Sequence, residues 1–266
     1  MVAARPVEPP PCPWFLPDPA TAGVDQELIA VGADLEPGTM LAGYRRGLFP
    51  MGVDLPDGEP GLGWWSPNPR AILRPDSVHV SRSLKRSLKR FEYSVDRAFD
   101  AVVAACGDPS RKHGWITGEF RRAYQRMFEL GWAHSVEVWL PEGQGSRRLV
   151  GGLFGLQIGG FFAAESKFHR ETDASKAAVV RLCESLGADG AGGERIIDVQ
   201  WPTKHLMTLG VEPVERLRYL HMLRAAQELP SPTLTSVEPV SRHQAGTSDL
   251  AATSSASKTT RTPRPF

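Results

Sequence analysis

The chain has 266 residues, 41% of them hydrophobic and 23% charged, an ordinary globular composition that excludes wholesale disorder. Lys plus Arg (31) nearly cancels Asp plus Glu (30), so any nucleic acid must be held by a local patch rather than a global field. Three scattered cysteines, Cys12, Cys106 and Cys183, rule out a disulfide framework and give no zinc or redox spacing, which fits a reducing, cytoplasmic compartment.

Residues 1–19 carry seven prolines, including Pro9, Pro10 and Pro11, and are expected to be extended, with at most Trp14 and Phe15 touching the body. No basic segment leads into an apolar run here, so no secretory signal is expected. Pro37 suits the first turn of a short helix closed by Gly47, and a turn-rich stretch then leads into WWSPNPR. Thr117 is positioned to open a helix carrying Phe120, Tyr124, Met127 and Phe128, ended by Gly131. HSVEVWL, RRLVGGLFGLQIG and GFFAAESKF read as consecutive strands. The most apolar stretch among them, residues 149–164, is too short and glycine-rich for a bilayer, which needs about 20 apolar residues, so no membrane partner is expected. Thr172 or Asp173 opens a helix with Ala177, Val180, Cys183 and Leu186 inward. ERIIDVQ is a buried strand, and PVERLRYLHMLRAAQEL a final amphipathic helix. Strands joined through a helix predict a mixed sheet in an α/β fold. Residues 230–266 hold 14 Ser or Thr and five Pro with few large apolar side chains, the composition of a disordered tail.

Three constellations could carry chemistry. On a helix, Arg82, Lys85, Arg86, Lys89 and Arg90 fall within an arc of about 140°, opposite Leu84, Leu88 and Phe91. Such a face is either a solvated surface or a track for phosphates. Asp198 and Gln200 lie two apart on a strand, which would place carboxylate and amide side by side at its C-terminal end, where α/β sheets hold ligands. They could equally be a polar strand end. Glu165 follows an apolar strand and, beside Asp198, would make an acidic pocket for an ammonium group. No GxSxG, GxxxxGK[ST], GxGxxG or HExxH pattern is present, so neither a metal nor a nucleotide cofactor is expected.

These residues sit in a longer pattern. LIAVGADL, YRRGLFP, WWSPNPRAIL, HVSRSLKR, AYQRMFELGWAHSVEVW, VGGLFGLQIGG, ESKF, DASK and IIDVQW, running from Leu28 to Leu223, closely resemble the leucyl/phenylalanyl-tRNA–protein transferases. The resemblance implies a small N-terminal α/β domain, 20–70, then an N-acetyltransferase-like (GNAT) mixed-sheet domain, 71–229, between the Pro-rich start and the tail. It implies a monomeric enzyme moving Leu or Phe from aminoacyl-tRNA to proteins with N-terminal Lys or Arg, for N-end-rule degradation. It assigns catalysis to Asp198, Gln200 and Glu165, and the tRNA acceptor end to Arg82, Lys85, Arg86, Lys89 and Arg90. Tyr44, Trp115, Ser166 and Phe168 are assigned to the pocket for the 3′-adenosine and aminoacyl group. In this scheme Asp198 hydrogen-bonds the Gln200 NH2, Gln200 orients the amine and relays its proton, and Glu165 positions the ammonium. Met51, Ala164 and Lys167 depart from the family's usual Trp, Gly and Met, which bears on the preference among Leu, Phe and Met. An acetyl-CoA-dependent acyltransferase is disfavoured because KFHRETDASK offers two acids and no glycine where a pyrophosphate would sit. A purely RNA-binding module leaves Asp198, Gln200 and Glu165 unexplained.

Overall fold

The computed structural model describes residues 5–111 and 115–235. After a 3-10 turn at Pro19–Thr21 come β1 (Leu28–Val31), α1 (Pro37–Arg45), β2 (Phe49–Asp54) and β3 (Pro60–Trp65). The three strands form one antiparallel sheet in the order β1-β3-β2. The rest runs β4 (Arg70–Leu73), α2 (Arg82–Leu88), β5 (Glu92–Val95), α3 (Phe99–Cys106), α4 (Gly118–Glu129), β6 (Ala133–Glu142), β7 (Ser146–Ile158) and β8 (Phe161–His169). It continues with α5 (Ala174–Gly187), β9 (Ile196–Gln200), α6 (Lys204–Met207), β10 (Glu212–Val214) and α7 (Arg216–Glu228). Seven strands make a second, mixed sheet, β10-β4-β9-β8-β7-β6-β5. The predicted mixed sheet is therefore present.

Two apolar layers clothe this sheet. Helices α1, α3, α4 and α7 bury Met40, Val102, Tyr124 and Leu223 against Phe154, Leu156 and Phe161 on one face. Helix α5 buries Ala177, Val180, Cys183 and Leu186 against Val138, Phe162 and Ile197 on the other. Strand β7 is buried on both faces, and its glycines let the layers close. A Cβ on Gly151 would stand 2.6 Å from that of Ala174, and one on Gly155 only 2.0 Å from the Ala163 carbonyl oxygen. Gly131, at φ +79°, closes the end of α4 as expected.

Two expectations for the chain ends change. The N-terminal segment packs from Val7 onward. The Val7 N–H donates to Leu130 O at 2.8 Å, Trp132 Nε1 donates to Val7 O at 2.8 Å, and Leu16 is buried with Leu48 and Trp64. Phe15, expected to dock, is 88% exposed, because the hydrophobic contact is made by its neighbour Leu16. At the other end, Leu234 packs on the α5 layer while Gln157 and Ser185 donate to the carbonyls of Pro232 and Thr235. The remainder of the predicted tail, 236–266, lies outside the described residues.

Strands β8 and β9 run parallel and are joined through α5. Their pairing stops at Ala163–Asp198. Beyond it β8 bulges at Glu165, and β9 is irregular where it meets β4. The two strands splay at their C-terminal ends, and the gap opens towards β2.

Candidate active site

Asp198 sits on the last turn of sheet before the splay and is fully buried. A charge there must be paired, and Arg70 on β4 supplies the partner: Nε and Nη2 donate to the two carboxylate oxygens at 2.9 and 2.6 Å. The guanidinium lies between the rings of Phe49 and Tyr219, 4.7 and 4.6 Å from their centroids, and also donates to Gly47 O. Burial is the largest single influence and opposes its charge, but Asp198, Tyr219 and Glu165 together outweigh it and hold Arg70 more firmly protonated than an ordinary arginine. Tyr219 Oη donates a third hydrogen bond to Asp198 at 3.0 Å, and the backbone N–H of Gln200 a fourth at 3.0 Å.

This geometry differs from the expected relay. The Asp198 carboxylate binds the Gln200 backbone, not its side-chain NH2. Gln200 stands at φ +61°, a left-handed conformation that costs a non-glycine residue about 1–2 kcal/mol, so the strand period no longer places the two side chains together. With its amide oriented so that the NH2 faces acceptors, Gln200 donates instead to the carbonyls of Ala164 and Val199, at 3.2 and 3.1 Å. Its carboxylate partner was taken by a guanidinium, the stronger donor.

Glu165 faces the same gap from β8 and is 8% exposed. Its Oε2 accepts from Tyr124 Oη at 2.8 Å, and Tyr124 Oη is in turn 2.8 Å from Tyr44 Oη. Oε1 is buried with no hydrogen-bond partner. Burial raises the carboxyl pKa to about 7, against the opposing influence of the Tyr124 hydrogen bond and of the nearby Tyr44 hydroxyl. Both phenols are pushed well above their usual range, chiefly by burial and then by the Glu165 charge.

Glu165 and Gln200 line a cleft of about 470 Å³ whose other walls are Phe49, Met51, Gly52, Trp115 and Trp201. Three of the expected residues, Glu165, Gln200 and Trp115, therefore meet here, while Asp198 lies beneath. Tyr44 is buried under the cleft rather than lining it. Phe168 is a core residue with Arg170 over its ring, and half-buried Ser166 hydrogen-bonds towards the Cys106 thiol. None of the five basic residues at 82–90 lines the cleft; all are exposed, and α2 ends at Leu88, leaving Arg90 beyond the helix and 3.9 Å from Glu171.

The family profile described as leucyl/phenylalanyl-tRNA protein transferase matches residues 72–224, and that of its N-terminal domain matches residues 33–68. Among curated proteins, the leucyl/phenylalanyl-tRNA–protein transferase of Legionella pneumophila (strain Corby) is 44% identical over 221 residues, 82% of this chain and 93% of its own. That of Aromatoleum aromaticum is 44% identical over 217 residues, 78% of this chain and 86% of its own. The enzyme of Oleidesulfovibrio alaskensis is 42% identical over 219 residues, covering 80% and 85%. The chain belongs to the leucyl/phenylalanyl-tRNA–protein transferase family.

Within that family frame, the structure locates the departures noted in the sequence. Met51 lines the cleft, and aromatic surface is supplied beside it by Trp201, whose ring lies 5.1 Å from Phe49 and 6.3 Å from Trp65. Lys167 is half-buried; burial lowers the pKa of its ammonium, and the nearby Arg111 guanidinium lowers it further. Sequence reasoning missed Arg70, Tyr219, Tyr124 and Trp201 as parts of the site. One signal was available: a buried Asp in IIDVQ demands a buried cation, and RAIL presents an arginine at the head of another short apolar strand.

Proposed function

We propose that this protein transfers leucine or phenylalanine from aminoacyl-tRNA to the N-terminal amine of proteins beginning with Lys or Arg, marking them for N-end-rule degradation in the cytoplasm. Membership of the family supports the reaction type. The observation that carries the assignment to this cleft is Glu165, which lines it together with Gln200 and whose Oε1 is buried without a partner. An incoming ammonium group would satisfy that oxygen. The splayed parallel pair in a mixed sheet also supports an N-acetyltransferase-like (GNAT) fold for residues 71–229, after a small domain at 20–70.

The aminoacyl ester is already activated, so the protein has mainly to align an uncharged amine against the ester carbonyl. Gln200 orients the acceptor from one side of the gap and Glu165 from the other. Asp198 is a positioning residue: with Arg70 and Tyr219 it holds the strained backbone of Gln200 in place. Trp115, Phe49 and Trp201 offer aromatic surface to the terminal adenosine and amino-acid side chain. The five cations at 82–90 receive the acceptor end of the tRNA through its phosphates.

The test is transfer of labelled amino acid from Leu-, Phe- and Met-tRNA to peptides differing only in their first residue. Transfer to Arg- and Lys-peptides but not to an Ala-peptide is expected. Binding of charged tRNA with no transfer to any peptide would reduce the protein to an RNA-binding module.

A further inference from the structure

Four groups surround the place where the amine must lose its proton, and three of them cannot take it. Both Asp198 oxygens are filled by Arg70, Tyr219 and the Gln200 backbone. The Gln200 amide is not basic. The Trp201 indole is a donor only, and it donates to Glu27. Glu165 remains: it lines the cleft, with Oε1 buried and unpartnered and Oε2 held by a phenol.

We infer that Glu165 is the general base of the transfer, its carboxylate held in place by the Tyr124–Tyr44 hydrogen-bond chain. The inference rests on the transferase reading of the cleft and extends the role of Glu165 from positioning the ammonium to deprotonating it. Oε1 accepts one proton from the α-ammonium of the acceptor. The freed nitrogen lone pair attacks the ester carbonyl carbon and the C–N bond forms. As the tetrahedral adduct collapses, the ester C–O bond breaks and the ribose oxygen leaves with a proton shed by the adduct's nitrogen. Glu165 then returns its proton to solvent. One peptide bond, one free tRNA 3′ end and one released proton result.

The groups around Glu165 fit this role. Tyr124 on α4 and Tyr44 on α1 stand in line on one oxygen, Tyr44 donating to Tyr124 because Tyr124's own proton goes to Glu165. Asp198 on β9, with Arg70 on β4 and Tyr219 on α7 beyond it, contributes one negative and one positive charge that oppose each other's effect on the carboxyl. Burial remains the dominant influence and leaves the carboxyl titrating near 7, close to the roughly 8 of a free α-amine, so the proton can pass in either direction at small cost.

The experiment measures kcat and KM for an Arg-peptide from pH 6 to 9 at saturating Phe-tRNA, in the wild-type protein, Glu165→Gln and Tyr124→Phe. Glu165→Gln keeps the shape and removes the base. Its kcat is expected to fall by roughly 100- to 10,000-fold at pH 7, with the deficit shrinking about tenfold per pH unit as the amine deprotonates unaided. Tyr124→Phe removes the hydrogen bond that favours the carboxylate, so its acid limb is expected to move to higher pH by about one unit. Loss in Glu165→Gln that is parallel at every pH, together with an unshifted limb in Tyr124→Phe, would make Glu165 a positioning residue and overturn the inference. If Glu165→Gln does not fold, the Tyr124→Phe limb alone decides. A wild-type protein that transfers nothing at any pH would overturn the functional reading itself, and the inference with it.

Discussion

Arg70 and Asp198 are buried together without solvent, and neither charge has a second home. Their mutual attraction roughly offsets the cost of desolvation, so the pair contributes less as a whole than either member alone would take away. Arg70→Ala strands a carboxylate bound by one phenol and one N–H, and Asp198→Ala strands a guanidinium between two aromatic rings. Each single variant is expected to lose about 3–5 kcal/mol in urea unfolding, with the double variant Arg70→Met/Asp198→Leu losing less than the sum. Additive losses would show that the two charges do not depend on each other. Glu165 tilts stability the other way with pH. Its folded pKa of about 7 lies above the ordinary 4.5, so its contribution is fully present below pH 4.5 and is lost as pH rises through 7. The shift corresponds to at most about 3 kcal/mol. Glu165→Gln is therefore expected to be more stable than wild type at pH 8 and to lose that advantage near pH 4.5. A stability difference that does not change across this range would contradict the buried, near-neutral carboxyl.

The elements divide by length into those legible in the sequence and those not. Strands β6, β7 and β8 run 10, 13 and 9 residues, long enough for their apolar content to stand out, and α4, α5 and α7 show helical spacing over three or more turns. Strands β1, β4, β5 and β10 have only 3 or 4 residues, too few for any period, and β2 and β3 are broken by Pro and Gly. Half the site is built on those short pieces: Arg70 on β4, Phe49 and Met51 on β2. Glu165 and Gln200 were legible because they interrupt or end apolar strands. That the Asp198 carboxylate pairs with Arg70 and not with the Gln200 side chain is not legible, because the period of two fails where Gln200 turns left-handed. Helix α2 kept its expected exposed face. Ser81 Oγ accepts the Leu84 N–H, and Leu84 and Phe91 anchor it. Lys85 and Arg86, both exposed, form no ion pair among the described residues. Neutralising them to Gln is expected to weaken tRNA binding whatever amino acid is attached. The slope of log affinity against log salt should become shallower by about 0.7–0.9 per lost contact. An unchanged slope would return α2 to an ordinary solvated surface.

At the scale of the whole molecule, the small sheet and the large one are joined beneath the cleft by α1, and the N-terminal segment lies over that junction. Glu8 pairs with Arg45 at the end of α1, the Pro10 carbonyl lies so close to Gly38 that a Cβ there would stand 1.9 Å from it, and Val7 is hydrogen-bonded to the turn after α4. The ion pair is exposed and contributes little. Leu16, 4% exposed against Leu48 and Trp64, contributes most of what the segment adds, because its removal uncovers that apolar cluster to water. Deleting residues 1–16 is therefore expected to cost about 2–5 kcal/mol, and a domain of this size loses roughly 2–4 °C of melting temperature per kcal/mol. The functional consequence follows from where the segment lies. Helix α1 carries Tyr44 and α4 carries Tyr124, so loosening their common cover slackens the hydrogen bonds that set Glu165. The truncated protein, assayed well below its melting point, is expected to bind tRNA through α2 as before, while the acid limb of its transfer rate moves to higher pH. A truncation that melts earlier but keeps the wild-type pH profile would confine the segment to a structural part. One that leaves the melting temperature untouched would show that Leu16 adds nothing to the core.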